Sequence, residues 1–131
     1  MSYADIRGRY VSDAVSTASP ATLLIMLYDR LLLDLERGEA LMIAGERNKA
    51  SIEVQHAQDI IMEFRMSLDV SSWEGGAGLE SLYSFLHSEL VRANTTGDAP
   101  AIRAVRDLIK PLRDSWLEAA EAVNATLAPK S

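Results

Sequence analysis

The stretch TASPATLLIMLYDRLLLDL, residues 17–35, constrains the fold more than any other part of the sequence. It opens with a helix-start signal, because Thr17 and Ser19 have hydroxyls that can accept from the unpaired N–H groups of a first turn. Pro20 follows, and its fixed backbone angle suits the first helical position. The pattern therefore predicts a long helix that begins at about residue 20.

The apolar content of this helix exceeds what one buried stripe requires. Residues 23–28 are apolar or aromatic without a break, and at about 100° per residue such a run surrounds the whole helix. Asp29 and Arg30 interrupt it far short of the roughly 18 apolar residues of a membrane span. The stretch is therefore typical of a central bundle helix with apolar side chains on more than one face, and no membrane insertion is expected.

The composition of the chain excludes some kinds of chemical site and disfavours some kinds of binding partner. The chain has 131 residues, enough for one domain with a hydrophobic core. It contains no cysteine, so disulfides and thiolate metal sites are excluded. Its net charge of −6 disfavours nucleic acid as a partner, because binding to phosphates requires a basic surface. The first ten residues lack the apolar segment of a secretory signal, and we expect a cytoplasmic protein.

Helical periodicity continues along the rest of the chain. It predicts four helices at about 20–44, 49–68, 79–94 and 99–126. Gly45 and Gly97 suit helix ends, Asn48 and Asp98 suit the caps of the next helices, and the glycine-rich segment 69–78 is predicted as a loop. The predicted stripes comprise Leu24, Leu27, Leu31 and Leu35 in the first helix, Val54, Ala57, Ile61, Phe64 and Leu68 in the second, Leu79, Leu82, Tyr83, Leu86, Leu90 and Ala93 in the third, and Ile102, Val105, Ile109, Leu112, Trp116, Ala119 and Val123 in the fourth.

These elements predict an all-α fold. Short turns make sequence neighbours antiparallel, which gives an up-down four-helix bundle. We predict a single domain over residues 1–131, with an N-terminal arm at 1–16 and the bundle at 20–126. Pro111 lies inside the fourth helix and removes one backbone hydrogen bond, so we expect this last helix to be kinked there.

Catalytic chemistry finds little support. Glu53 and His56 form a Glu-x-x-His motif, with which di-iron bundles present two ligands on one helix face. A di-iron site needs a second such motif, but the only other histidine, His87, has Ser84 three positions before it. We therefore predict no catalytic residues, no metal, no cofactor and no enzymatic activity.

The apolar side chains that lie off the core stripes leave two interpretations open. Leu23 and Met26 in the first helix, and Ile52 and Ile60 in the second, belong to this group. They can pack within an ordinary bundle, since residues beside a stripe also become partly buried. Alternatively, they can form a groove for an amphipathic helix or an unfolded segment of another protein, to which the five methionines of the chain would help it adapt.

The sequence also resembles a known family, the flagellar secretion chaperone FliS. The first long helix of that family begins with a similar "TASP…MLYD" pattern, and the likeness continues in one register over roughly residues 3–120. The matching residues are Tyr10, Val15 to Pro20, Leu23 to Asp29, Asn48, Ala57, Ile60, Ile61, Ser67 to Asp69, Leu82, Tyr83, Leu90, Ala93, Asn94, Asp98, Leu112, Arg113 and Trp116. Arg30 departs from the pattern, since the family usually has a small residue there.

This resemblance implies a helical export chaperone. Such a protein would bind the disordered C-terminal segment of flagellin, prevent its premature polymerisation and deliver it to the flagellar export apparatus. The implied partners are flagellin and, beyond it, components of the export gate and other flagellar regulators. The alternative is a helical-bundle module that binds another exported or regulatory flagellar protein.

Partner-binding residues are carried over by their position in the resemblance. They lie in or beside the expected groove and comprise Tyr10, Leu23, Met26, Tyr28, Ile52, Ile60 and Asn94. Leu112 and Trp116 are assigned to the core instead. The apolar spacing of Tyr3, Ile6 and Tyr10 suggests that the arm covers the groove until flagellin binds.

Overall fold

Four helices make up the described part of a computed structural model, which covers residues 20–67 and 75–127, with side chains described at 21–67 and 75–122. The helices are α1 (Pro20–Ile43), α2 (Arg47–Ser67), α3 (Gly76–Thr96) and α4 (Ala99–Leu127). These residues contain no strand, so the predicted all-α class is confirmed. The arm at 1–16, Leu68 and Trp73 lie outside the described residues.

Glycine ends two of the helices as predicted. Gly45 has a φ of +79° and follows α1, while the N–H of Glu46 donates to the carbonyl of Leu41 at 2.9 Å. Gly97 has a φ of +72° and follows α3. Both angles lie in the left-handed region, which residues with a Cβ rarely adopt, so the two turns require glycine.

The helix starts are predicted less accurately than the ends. Asp98 caps α4 as expected, since its Oδ1 accepts from the N–H of Ala101 at 3.1 Å. Asn48 is not a cap, because α2 already begins at Arg47. Residue Gly76 starts α3, so the last part of the predicted loop is helical. Helix α4 continues through Pro111, and the kink expected there stays a prediction.

The chain divides into two compact units, which are described separately. Unit 1 contains the described residues 20–30 and 109–127, and unit 2 contains residues 31–108. Unit 1 therefore holds the start of α1 and the end of α4. Unit 2 holds the rest of these two helices together with α2 and α3.

Unit 2 has an antiparallel topology. Within it, Ser51 of α2 bonds to Asn94 of α3, and Phe64 stacks at a tilt on Tyr83 with the ring centres 5.6 Å apart. Residue numbers thus rise in α2 as they fall in α3, so the two helices are antiparallel. The contact of Gly38 with Val54 and that of Glu39 with Arg106 place α2 and α4 beside α1. The first three helices therefore pack side by side in chain order, and α4 returns to the side of α1. This is the predicted up-down arrangement of four helices, which is confirmed.

The interior of unit 2 is filled by the predicted stripes. Gly38 allows α1 and α2 to approach closely, because a Cβ at this position would lie 3.1 Å from Cγ2 of Val54. The completely buried large apolar side chains among the described residues of this unit include Leu31, Leu35, Val54, Ile61, Leu86, Leu90, Ile102 and Val105. Ile60 is also buried, although the sequence placed it off the stripe.

Unit 1 has a narrower buried seam. Among its described residues, the buried side chains are Ile25 and Tyr28 of α1 and Ile109 of α4. Beyond Ile109, the described members of the predicted core stripe of α4 are not buried: Leu112 and Trp116 are half-buried and Ala119 is exposed. Leu112 and Trp116 thus pack less completely than a core stripe predicts.

Candidate functional site

Half-buried apolar side chains are concentrated in unit 1. On α1, Leu23, Met26 and Leu27 are spaced by three and four residues, so they share one face of the helix. On α4, Leu112, Trp116 and Leu117 are half-buried as well. Each of these side chains still presents apolar surface to the solvent, and burial of that surface by a partner would be favourable.

Two polar contacts fix the geometry of this surface. Nε of Arg113 donates to Oδ1 of Asp29 at 2.8 Å, and the hydrogen bond to Asp29 raises the pKa of the Arg113 guanidinium. Nε1 of Trp116 donates to the hydroxyl of Tyr28 at 3.1 Å. Both contacts join α1 to α4 in antiparallel order within unit 1, and they hold the two half-buried faces in a fixed register.

The predicted contact residues of α1 separate into two groups. Leu23 and Met26 lie one turn apart with part of their surface accessible, as a binding role requires, and their assignment stays a prediction. Tyr28 is completely buried in the free chain, where its hydroxyl accepts the hydrogen bond from Trp116. Its assignment to a position in or beside the groove stays a prediction. Tyr10 lies outside the described residues.

The residues of unit 2 that are predicted to contact a partner also differ in their exposure. Ile52 is 55% exposed on α2. Asn94 on α3 is half-buried, and its Nδ2 donates to the hydroxyl of Ser51, the neighbour of Ile52, at 3.1 Å. The structure thus brings Ile52 and Asn94 to the same part of unit 2. Ile60 is only 1% exposed and packs in the interior of unit 2, and its assignment to a position in or beside the groove stays a prediction.

An ion-pair cluster that the sequence did not predict lies in unit 2. Glu39 is almost fully buried, and its two carboxylate oxygens face Nε of Arg103 at 3.3 Å and Nη1 of Arg106 at 3.1 Å. The arginines lie one turn apart on α4, which is the spacing that lets both reach one carboxylate. This cluster has the geometry of a structural clamp between α1 and α4.

A second unpredicted cluster surrounds the Glu-x-x-His motif. Asp34 of α1 is completely buried, and its carboxylate lies close to Glu53 and His56 of α2. The sequence contained a signal for it, since Asp34 interrupts the leucines of α1 on a buried face. The antiparallel packing of α1 on α2, which the sequence alone does not align residue by residue, is what brings the three side chains together.

Membrane insertion finds no support in the helices. Within 20–67 and 75–127, none of them combines the length and the apolar character that a membrane span requires.

Comparison with known proteins identifies relatives along most of the chain. The profile of the family described as "Flagellar protein FliS" matches residues 3–123. The "Flagellar secretion chaperone FliS" of Escherichia coli (strain K12) is 33% identical over 110 residues, which cover 82% of this chain and 81% of that protein. The protein of the same name from Bacillus subtilis (strain 168) is 26% identical over 113 residues, or 86% of this chain and 84% of that protein.

Proposed function

This chain belongs to the FliS family of flagellar secretion chaperones, which are not enzymes, and we propose that its cargo is the C-terminal segment of flagellin. In this proposal the chain holds that segment unpolymerised in the cytoplasm. It then delivers the segment to the export gate of the flagellum. Recognition would occur through apolar contacts along helix faces, the mode by which a groove binds an amphipathic segment.

The half-buried apolar surface of unit 1 is the observation that carries this proposal. Leu23 and Met26 on α1, together with Trp116 on α4, are half-buried and offer apolar area that the described residues leave partly uncovered. A disordered segment that folds on this surface loses conformational entropy, but it can cover a large area. Methionine suits such a surface, because its unbranched side chain adapts to different neighbours.

The acidic character of the chain supports the same proposal. With a net charge of −6 the protein repels other copies of itself, so it can expose apolar side chains and remain soluble. A carrier needs this combination, since its binding surface must stay accessible until the cargo arrives.

Calorimetric titration with the C-terminal segment of flagellin tests the cargo. We expect one-to-one binding with a negative heat-capacity change, because apolar surface is removed from water. Absence of binding would reject flagellin as the cargo and leave another exported or regulatory flagellar protein as the partner. The same titration with such proteins would then identify the cargo.

Met26→Glu tests the surface. A glutamate at this position would have to bury its charge against the cargo without a partner, so we expect affinity to fall at least about tenfold, or 1.4 kcal/mol. The position is half-buried, so the fold should persist. Ala40→Glu is the matched control: it adds the same charge at an exposed position of α1 in unit 2, and binding should not change.

Two outcomes would contradict the assignment of the surface. If Met26→Glu binds flagellin as tightly as the unmodified protein, Met26 does not contact the cargo. If Met26→Glu unfolds the protein in circular dichroism while Ala40→Glu does not, Met26 belongs to the core. Either result leaves the family membership unchanged, because that rests on sequence.

A further inference from the structure

The cluster of Asp34, Glu53 and His56 has a composition typical of metal sites. Each side chain offers one ligand atom, and the three atoms lie within 4.8 Å of one another. Asp34 is completely buried on α1, while Glu53 and His56 are half-buried on α2. The two α2 residues are three positions apart, so they project from the same face of that helix towards α1.

We propose that Asp34, Glu53 and His56 bind one zinc ion. An imidazole nitrogen and two carboxylate oxygens are ligands that Zn²⁺ accepts in tetrahedral sites, with water as a fourth ligand. Affinity of nitrogen and oxygen sites is higher for Zn²⁺ than for Mn²⁺ or Fe²⁺, so zinc is the preferred ion among these. The ion would link α1 to α2 inside unit 2.

The ligand atoms must move closer together to share an ion. Two ligand atoms of a tetrahedral zinc ion, each at about 2.1 Å from the metal, lie about 3.4 Å apart, which is less than the 4.8 Å within which the three atoms now lie. Glu53 can supply this movement, since its side chain has three rotatable bonds. Its Oε2 atom is buried and has no hydrogen-bond partner, so reorientation towards an ion would break no hydrogen bond of that atom.

Asp34 of α1 supplies a third ligand, so the absence of a second Glu-x-x-His motif does not exclude a site with one metal ion. A di-iron centre needs a second Glu-x-x-His motif, and the chain has none. A mononuclear zinc site needs only three protein ligands, and Asp34 completes that set from the neighbouring helix.

The composition of the chain makes the site easy to test. It has no cysteine and only two histidines, so His87 is the sole other strong zinc donor among the side chains. Exposed carboxylates bind zinc weakly by comparison, and a one-to-one stoichiometry therefore points to the cluster or to His87.

The experiment is zinc titration of the chelator-treated full-length protein by calorimetry, with metal content per chain measured after dialysis. We expect one equivalent of zinc. His56→Gln and Glu53→Gln should each weaken binding at least about tenfold, since the loss of a group that merely supports a metal ligand already weakens binding by about 10- to 100-fold. His87→Gln removes a histidine outside the cluster and should leave zinc binding unchanged.

Stability provides a second readout. A ligand that binds only the folded chain raises its thermal midpoint, so zinc should raise the midpoint of the unmodified protein and of His87→Gln, but not of His56→Gln. Circular dichroism establishes whether each variant is folded. If His56→Gln does not fold, Glu53→Gln replaces it in this measurement. Less than one equivalent of zinc, or zinc binding by both cluster variants as tight as that of the unmodified protein, would overturn the proposal. The test uses no flagellar partner, so its outcome is independent of the proposed cargo.

Discussion

Units 1 and 2 differ in how completely they bury their apolar side chains. Unit 2 encloses a row of fully buried leucines and isoleucines, among them Leu35, Ile61 and Leu90. In the described part of unit 1, only Ile25, Tyr28 and Ile109 are buried. The other large apolar side chains described there are half-buried: Leu23, Leu24, Met26, Leu27, Leu112, Trp116 and Leu117.

The number of helical segments explains the difference. Four segments surround an interior in unit 2, and each helix buries a wide stripe there. The described part of unit 1 contains one segment of α1 and one of α4, and two helices bury only the seam between them. The same leucine-rich pattern therefore gives a closed core in unit 2 and, in the described part of unit 1, a narrow seam flanked by half-buried side chains. Unit 2 also carries exposed large apolar side chains on its outside, among them Ile43, Met66 and Phe85.

The largest expected effect is on stability in unit 2. Leu90→Ala removes a completely buried side chain and leaves a cavity, so the free energy of unfolding should fall by about 2–5 kcal/mol. Leu23→Ala makes the same chemical change at a half-buried position of unit 1, where we expect a loss of about 1 kcal/mol. Urea unfolding of both variants measures the difference.

This pair tests the contrast directly. Equal losses would mean that Leu23 lies in a core as complete as that around Leu90, and the surface assigned to unit 1 would have to be abandoned. For flagellin binding we expect the opposite order of effects. Leu23→Ala should weaken binding directly, whereas Leu90→Ala should reduce it only by unfolding part of the protein.

Trp116→Ala should have an intermediate effect. A completely buried tryptophan would cost about 3–5 kcal/mol on truncation, but Trp116 is half-buried, so we expect about 1–3 kcal/mol. Part of this loss comes from the hydrogen bond to Tyr28. Trp116→Phe keeps most of the apolar area and removes the N–H donor, so it should lose about 0.5–1.5 kcal/mol in chemical denaturation. A loss above about 3 kcal/mol for Trp116→Ala would restore this residue to the core.

Periodicity predicted the fold well, because each helix of the bundle carries its own signal. The four helices, the glycine ends at Gly45 and Gly97 and the Asp98 cap follow from local chemistry that is visible in the sequence. The starts of α2 and α3 were misplaced by a few residues, since Glu46 and Gly76 carry no distinctive start signal.

Burial was harder to predict than helix positions. The family resemblance placed Tyr28 and Ile60 in or beside a partner-binding groove, and the structure buries both in the free chain. A helix that is apolar on several faces does not reveal which face meets which neighbour, because that depends on the rotation of each helix in the bundle. The cluster of Asp34 with His56 was missed for the same reason: it depends on the alignment of α1 with α2.

Ion pairs give the smallest predicted difference between the units. Arg106 of unit 2 donates to Glu39, whose side chain is 12% exposed, whereas Arg113 of unit 1 donates to Asp29, whose side chain is 51% exposed. Arg106→Ala would leave a largely buried carboxylate with one of its two arginines, so we expect a loss of about 1.5–3 kcal/mol in the free energy of unfolding. Arg113→Ala breaks a solvated pair and should cost at most about 1 kcal/mol.

Salt separates the two pairs further. Added sodium chloride screens charges in water far more than buried ones, so it should reduce the small loss of Arg113→Ala and leave most of that of Arg106→Ala. Urea unfolding at low and high ionic strength measures both losses. If Arg113→Ala proves as destabilising as Arg106→Ala and equally insensitive to salt, the Asp29 pair is effectively buried. The α1 and α4 segments of unit 1 would then be closed to a partner at that position.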